Sequence, residues 1–413
     1  MKKFSKEALV PENDKWELAI KRCDDLYSRK DDIRGPFARD YTRVLHSLAY
    51  RRLKHKTQVF FNAAGNDHIC TRIEHVQHVE SVSNTIAKEL GLNEELTRAI
   101  AIAHDLGHAP FGHQGEDVIK RLTQKYLEKD FWHEQNGVYF VDDVELLEDN
   151  EKKFRNLDLT YAVRDGIISH CGEMNQKAII KRNESIDLKD YLYPGQYNPY
   201  TWEGCVVKMS DKIAYLARDI EDALRLNIID EQLVEDLRNH LNQLTKSHFD
   251  AINNGTIVNY FILDVCQNSS IEKGICLSDE AFEVMKYIMK FNYQNIYLID
   301  RIEVHTNYVQ LILNSIFQFL YKYDKIANDN QINVLEALKK DQKKYPVTIQ
   351  GYMHWLEKYS QMKHFNRNPL YQNHIIYDFE HDKNAMAKSI IDYLSGMSDA
   401  YILKIFNEFI SFS

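Results

Sequence analysis

Between Thr71 and Gly107 the chain carries the start and stop signals of two consecutive helices, and no other stretch constrains the fold as strongly. Thr71-Arg72-Ile73-Glu74 is a capping box, in which a hydroxyl and a carboxylate three residues on satisfy the orphan amides of a helix start. A helix is predicted from Arg72 to Leu90, with Gly91 as its stop. Asn93 caps a second helix, which carries Leu96, Ile100, Ala101 and Ala103 and runs to Gly107, ahead of Pro110. The two make a helical hairpin. Helical periodicity dominates elsewhere too, so the chain reads as all-α. Residues 59–71 are the exception: Val59-Phe60-Phe61 and His68-Ile69-Cys70 flank Gly65-Asn66 in the manner of a short β-hairpin.

On the first of these helices His75 leads a stripe continued by Val79, Val82 and Ile86, which points its imidazole into the core; His78 falls off that stripe. His104 and Asp105 stand where the second apolar helix ends, about 100° apart around its axis, so the pair can straddle one ion. A third helix, from Thr201 to about Leu226, has an apolar stripe of Val206, Ile213, Ala217, Ile220 and Leu224. It lines up Asp211, Tyr215 and Asp219 along one face. Carboxylates beside apolar residues are costly unless paired, hydrogen-bonded or metal-bound. A lone buried histidine is more often a hydrogen-bonded core residue than a ligand. Here a buried His75, a His104-Asp105 pair, an aspartate-bearing helix and further histidines at 108, 113 and 133 occur together. Two imidazoles and two carboxylates suit manganese, iron, zinc or nickel, and magnesium less naturally.

Other features narrow the class. At 413 residues, 44% hydrophobic and 27% charged, the chain can bury a large core in two to three domain-sized units. Six scattered cysteines without a CxxC pair argue against a disulfide framework or zinc ribbon and for reduced thiols. Charged residues follow Met1-Lys2-Lys3 where a signal peptide needs apolar ones, and no apolar run could span a bilayer, so a cytoplasmic location is expected. A net charge of -9 gives no general attraction to nucleic acid, so an anionic ligand needs a local basic patch. Arg34, Arg39, Arg43, Arg51, Arg52, Lys54 and Lys56 form one against the single acid Asp40, unless they are simply a solvated helix face. Residues 183–204, with Pro194-Gly195, Pro199 and five aromatics, read as an irregular segment that is either a lid or a plain connector. Beyond it the chain looks helical, with breaks at Asn253-Asn254-Gly255 and around Asn366–Pro369.

The order His75, His104-Asp105, Asp211 resembles the H…HD…D signature of the HD-domain phosphohydrolases, a helical superfamily. Three blocks narrow this: Arg39-Asp40-Tyr41-x-Arg43-Val44-x-His46-Ser47, Arg51-Arg52-Leu53-x-x-Lys56-Thr57-Gln58-Val59, and Thr71-Arg72-x-x-His75. They look like the opening of the deoxynucleoside triphosphate triphosphohydrolases, the dGTPase family. His104-Asp105-Leu106-Gly107-His108-Ala109-Pro110-Phe111-Gly112-His113-x-Gly115-Glu116 is similar to that family's most recognisable segment. Asp211-x-Ile213-Ala214-Tyr215-x-x-x-Asp219-Ile220-x-Asp222 and Asp392-Tyr393-x-x-Gly396-Met397-Ser398-Asp399 also match. The similarity covers most of residues 32–226 and a patch near 392–400.

The resemblance implies an HD core over residues 32–226, preceded by an N-terminal helical segment (1–31) and followed by a helical C-terminal region (227–413) packed on it. It implies hydrolysis of a dNTP, dGTP favoured, to deoxynucleoside and inorganic triphosphate. His75, His104, Asp105 and Asp211 would hold the metal, manganese first among the candidates. His113 and Glu116 map onto the catalytic pair and His133 onto a further active-site histidine, without settling which histidine is the acid. Arg72, His108, Lys212 and Tyr215 would contact the phosphates, and Gln58 and Asp219 the sugar 3′-hydroxyl. Relatives usually continue with Asn after the last histidine, whereas this chain has Glu134-Gln135. Family members assemble as tetramers or hexamers, and Arg52 and Lys54 could hold an activating nucleotide at a subunit interface. Two other readings compete: an HD phosphodiesterase acting on another nucleotide, and a catalytically inactive dNTP sensor. The first leaves the Arg39–Val59 block unexplained, and the second predicts a missing ligand, whereas all four are present.

Overall fold

Helix ends follow the local chemistry of the sequence in the computed structural model, which describes residues 2–24, 32–61, 68–170 and 176–411. The Glu74 carboxylate accepts the Thr71 amide at 2.7 Å and its hydroxyl at 2.9 Å, and the helix runs Arg72–Leu90 to a left-handed Gly91 (φ 86°). Asn93 Oδ1 accepts the Leu96 amide at 3.1 Å and opens the helix Glu94–Ala103. That helix ends one turn before Gly107, and there His104 Nδ1 donates to the Ala101 carbonyl at 2.6 Å. Helices dominate, and the strands among the described residues are short pieces in three two-stranded pairs. The expected hairpin is not among them. Val59–Phe61 and His68–Cys70 lie outside any strand, and the Cys70 amide donates to Asp222 Oδ2 at 3.0 Å instead of to a ladder. Gly65-Asn66 lie outside the described residues. No helix among those described is long and apolar enough to cross a membrane.

Two compact units interleave along the chain. The first comprises Met1–Leu45, Gln58–Asp105 and Asp158–Glu303. Its core packs helix Arg72–Leu90 against Glu94–Ala103 and Trp202–Arg225 through Val82, Ile86, Val206, Ile213 and Ile220. The third helix opens where Thr201 Oγ accepts the Gly204 amide at 3.0 Å. Helix Tyr161–Ser169 lies so close to Glu94–Ala103 that a Cβ on Gly166 would meet Ile100 at 2.5 Å. Residues 183–201 are irregular apart from one turn at Leu188–Asp190, and the segment is tied down: the buried Asp165 carboxylate pairs with Arg182 and accepts the Tyr200 amide at 2.8 Å. Tyr191 and Tyr200 are buried, so the connector reading fits better than the lid. Helix Asn254–Asn268 starts at the expected break, with Asn253 Oδ1 accepting the Thr256 amide.

The second unit comprises His46–Thr57, Leu106–Leu157 and Val304–Ser413. In it helix Gly112–Leu127 packs on Ala385–Ser395, and helix Pro346–Tyr359 packs on Ala385–Ser395 and Asp399–Ile410. Asp392, buried in this contact, accepts the Tyr139 hydroxyl at 2.7 Å and the Tyr377 hydroxyl at 3.0 Å.

Two stability predictions follow from these buried carboxylates. Arg182→Ala leaves Asp165 as an uncompensated buried charge and should cost about 3–5 kcal/mol of unfolding free energy, read by urea denaturation. Burial raises the Asp392 pKa to about 6, against the Lys388 charge and the tyrosine hydrogen bonds, which lower it. The folded protein therefore keeps a proton that the unfolded chain gives up near pH 4, so this residue's contribution to stability falls as the pH rises from about 4 to 6. Asp392→Asn removes that dependence while keeping an acceptor for Tyr139. Its stability relative to wild type should rise by about 2–3 kcal/mol between pH 4 and pH 7, and a pH-independent difference would refute the assignment.

Candidate active site

Four side chains expected as ligands converge in the first unit, brought together by the three packed helices. His75 Nε2 lies 2.9 Å from Asp211 Oδ1 and 3.8 Å from Asp105 Oδ2. His104 Nε2 lies 3.5 Å from Asp105 Oδ1 and 3.6 Å from Asp211 Oδ1. The bond from His104 Nδ1 to the Ala101 carbonyl puts the single proton of the neutral ring on Nδ1, so that in this form Nε2 keeps its lone pair. That nitrogen is buried and has no hydrogen-bond partner among the described residues. A bare acceptor facing two carboxylate oxygens is costly by itself and is the donor set a divalent cation takes, so the residues fit such an ion. Burial works against a charge on His104, but Asp105 and Asp211 outweigh it and raise its pKa to about 9. Burial would raise Asp211, yet the neighbouring His104 and His75 imidazoles hold it well below the usual carboxylate range.

Arg72 is buried against this cluster, donating to Asp105 Oδ2 at 2.8 Å and to the Gln58 carbonyl at 3.3 Å, so it orients the Asp105 carboxylate. His170 is a neighbour the sequence reading missed. Its ring meets that of His104 edge to face at 4.9 Å, and one of its nitrogens groups with His104 and Asp105 as a third donor. Like His104 it follows the last residue of an apolar helix and bonds the carbonyl three residues back, Ile167, at 2.6 Å. That shared placement was the available signal.

The chain enters the second unit at Leu106, and there His108, His113, Glu116 and His133 gather. Glu116 Oε1 accepts the His133 amide at 2.9 Å, and His133 Nδ1 lies 3.1 Å from Oε2. His113, exposed, has Nδ1 3.7 Å from the same carboxylate. Burial would raise Glu116, but His133 and His113 hold it far below the usual range, so it is ionised. The His108 ring stacks on His133 at 3.7 Å. This closeness depends on Gly107, where a Cβ would strike the His133 carbonyl and the Gly137 amide, both at 2.1 Å. Asn136 Nδ2 donates to the Gly107 carbonyl at 2.7 Å and ties helix His133–Tyr139 to the loop. Glu134 is buried, with Oε1 3.5 Å from His133 Nε2.

The remaining residues fall as follows. Gln58 Oε1 is buried, without a hydrogen-bond partner among the described residues. Asp219 is buried and accepts the hydroxyl of Tyr297, a partner the sequence did not reveal. Lys212 is buried and Tyr215 half-buried on the Asp211 helix. The basic patch largely dissolves into internal pairs. Arg34 and Arg39 bind Asp32, Arg43 donates to the Asp158 carbonyl at 2.9 Å, and Arg52 pairs with buried Glu145. Lys54 and Arg51 stay exposed. Burial pushes the Cys70 thiol up to about 12, in keeping with an inert thiol.

If the His75–His104–Asp105–Asp211 cluster holds an ion, protein purified without chelator should carry close to one divalent metal per chain. Asp211→Ala should lose it while keeping its helix content, as measured by elemental analysis and circular dichroism. Equal metal content in the variant would place the ion elsewhere.

Residues 72–216 match the HD domain family. The chain is 31% identical over 404 residues to a deoxyguanosinetriphosphate triphosphohydrolase-like protein of Clostridium tetani, covering 97% of this chain and 92% of that relative. A protein of the same description from Caldanaerobacter subterraneus subsp. tengcongensis is 36% identical over 302 residues, covering 73% and 76% of the two chains. One from Desulfatibacillum aliphaticivorans is 37% identical over 292 residues, covering 70% and 74%. With nearly its whole length matched, the chain belongs to the dGTPase-like family of HD-domain proteins.

Proposed function

We propose that the chain hydrolyses a deoxynucleoside triphosphate, dGTP favoured, to the deoxynucleoside and inorganic triphosphate in a metal-dependent reaction. One observation carries the reading: the bare, buried Nε2 of His104 faces two carboxylates in a chain whose relatives are described as dGTP triphosphohydrolase-like. A divalent ion, manganese favoured, would be held by His75, His104, Asp105 and Asp211, lowering the pKa of a bound water and neutralising phosphate charge.

The protein's own groups do the rest. Glu116, kept ionised, orients His133 through its amide and ring, and His133 or His113 protonates the leaving 5′-oxygen. Arg72, His108, Lys212 and Tyr215 bind the phosphates. Gln58 and Asp219 take the sugar 3′-hydroxyl; the buried Gln58 Oε1 needs a donor, and Tyr297 fixes the Asp219 carboxylate. A close fit there excludes ribonucleotides. Residues 32–226 serve as the catalytic core, in a homo-oligomer of four or six chains. An activating nucleotide would meet Lys54 beside Arg52 at a subunit interface, where Arg52 must leave Glu145 to take part.

Incubation with manganese and each nucleotide separately tests the reading. Deoxynucleoside with intact triphosphate is the expected product, ribonucleotides should be spared, and Glu116→Gln should lower kcat by about 10²-fold or more at similar KM. Monophosphate with pyrophosphate would indicate a phosphodiesterase-type cleavage, and no turnover of any nucleotide, alone or mixed, would indicate a sensor.

A further inference from the structure

We propose that Asp399 is a positioning residue that sets the Glu116–His133 pair, a role that rests on the reaction proposed for that pair. Neither its place near the C-terminus nor its motif, Gly396-Met397-Ser398-Asp399, has a part in the chemistry so far.

Asp399 is buried in the second unit, and its two oxygens do different jobs. Oδ2 accepts the Thr57 amide at 2.7 Å and the Thr57 hydroxyl at 2.6 Å. Oδ1 accepts the Phe111 amide at 2.8 Å, across 288 residues of sequence. Phe111 is the residue before helix Gly112–Leu127 and has φ 61°, a left-handed conformation that a bulky side chain adopts only when its surroundings enforce it. Gly112 has the same φ, so the chain makes two successive left-handed residues immediately ahead of His113. Beside Thr57, the buried Lys56 ammonium donates to the His108 carbonyl and, at 3.2 Å, to the Ser395 carbonyl. The loop from His108 to Gly112 is thus gripped at its carbonyl end by Lys56 and at its amide end by Asp399.

The turn decides where the helix begins, and the helix start decides where Glu116 lies. Its contacts with the His133 amide and ring, at 2.9 and 3.1 Å, tolerate little displacement. Seven residues before Asp399, Asp392 holds Tyr139 at the far end of the His133 helix. One short stretch of chain therefore anchors both carriers of the pair. A carboxylate suits the task better than an amide, because all of its partners are donors: two backbone amides and a hydroxyl. Burial raises the Asp399 pKa and these three bonds oppose the rise.

Asp399→Asn keeps the size but turns one oxygen into a donor facing donors. The test reads amide hydrogen exchange at Phe111 and His133, thermal stability, and kcat and KM for dGTP. We expect both amides to exchange at least about tenfold faster in the variant, Tm to move little, and kcat to fall about ten- to hundredfold at near-constant KM. A merely structural contact would expose Phe111 alone. Unchanged exchange at His133, or an undiminished kcat, overturns the proposal. Should Asp399→Asn fail to fold, Thr57→Val removes one of the three donors and should produce the same pattern more weakly; its absence is equally fatal. The His133 amide donates to Glu116 whether or not the protein turns over, so it reports the positioning even if no dNTP is split, a result that would sink the proposed reaction alone.

Discussion

The hydrogen bond from His104 Nδ1 to the Ala101 carbonyl does three things at once. It gives a partner to a carbonyl in the last turn of the helix Glu94–Ala103. It fixes the ring's orientation, and it leaves Nε2 as a lone-pair donor in the interior. The last carbonyls of any helix need partners from somewhere. Using an imidazole for this spends no other side chain and aims the second nitrogen away from the helix, toward Asp105 and Asp211. His170 repeats the device on the neighbouring helix, with Ile167 as acceptor, and the close approach at Gly166 sets the two rings edge to face.

In the second unit close backbone approach takes the place of a helix terminus. Gly107 admits the His133 carbonyl and the Gly137 amide to distances no side chain would allow, and the stacked rings of His108 and His133 follow from that. Glu116 then binds His133 twice, through amide and ring, which fixes the angle of the imidazole as well as its distance. A carboxylate held ionised among imidazoles is suited to orienting and tuning a proton donor rather than to giving up a proton itself.

What the sequence made legible was governed by separation along the chain. Thr71 with Glu74, Asn93 with Leu96 and Thr201 with Gly204 are three residues apart, so their residue types alone announce helix starts. The stripe behind His75 is local in the same sense, and together with the family resemblance it led to the four residues that converge in the first unit. The pairings that finish the cluster are long-range. Nothing near Asp219 announces Tyr297, 78 residues on, and nothing near Phe111 announces Asp399. The basic patch misled for the same reason. Counting charges from 34 to 56 finds one acid, but the partners are Asp32 just outside that window and Glu145 far along the chain. The apparent hairpin left no strand among the described residues from Val59 to Cys70, where a side chain, Asp222, takes the Cys70 amide.

Buried carboxylates here divide by the kind of donor they accept. Asp165 takes Arg182 and the Tyr200 amide; Glu203 takes the amides of Leu9 and Asn93; Asp40 takes Arg22 and the Thr160 amide and hydroxyl. Guanidinium and amide protons stay where they are near neutral pH, so these contacts hold elements together and cannot exchange a proton. Asp211 and Glu116 instead face imidazoles, whose protons move within the physiological range and whose nitrogens can bind a metal. Asp105 stands at the junction, with Arg72 on Oδ2 and His104 near Oδ1, one oxygen bound to a fixed charge and the other beside a group that can change. An arginine on one oxygen limits how far that carboxylate can rotate, so the oxygen left toward His104 keeps its direction whatever occupies the space between them.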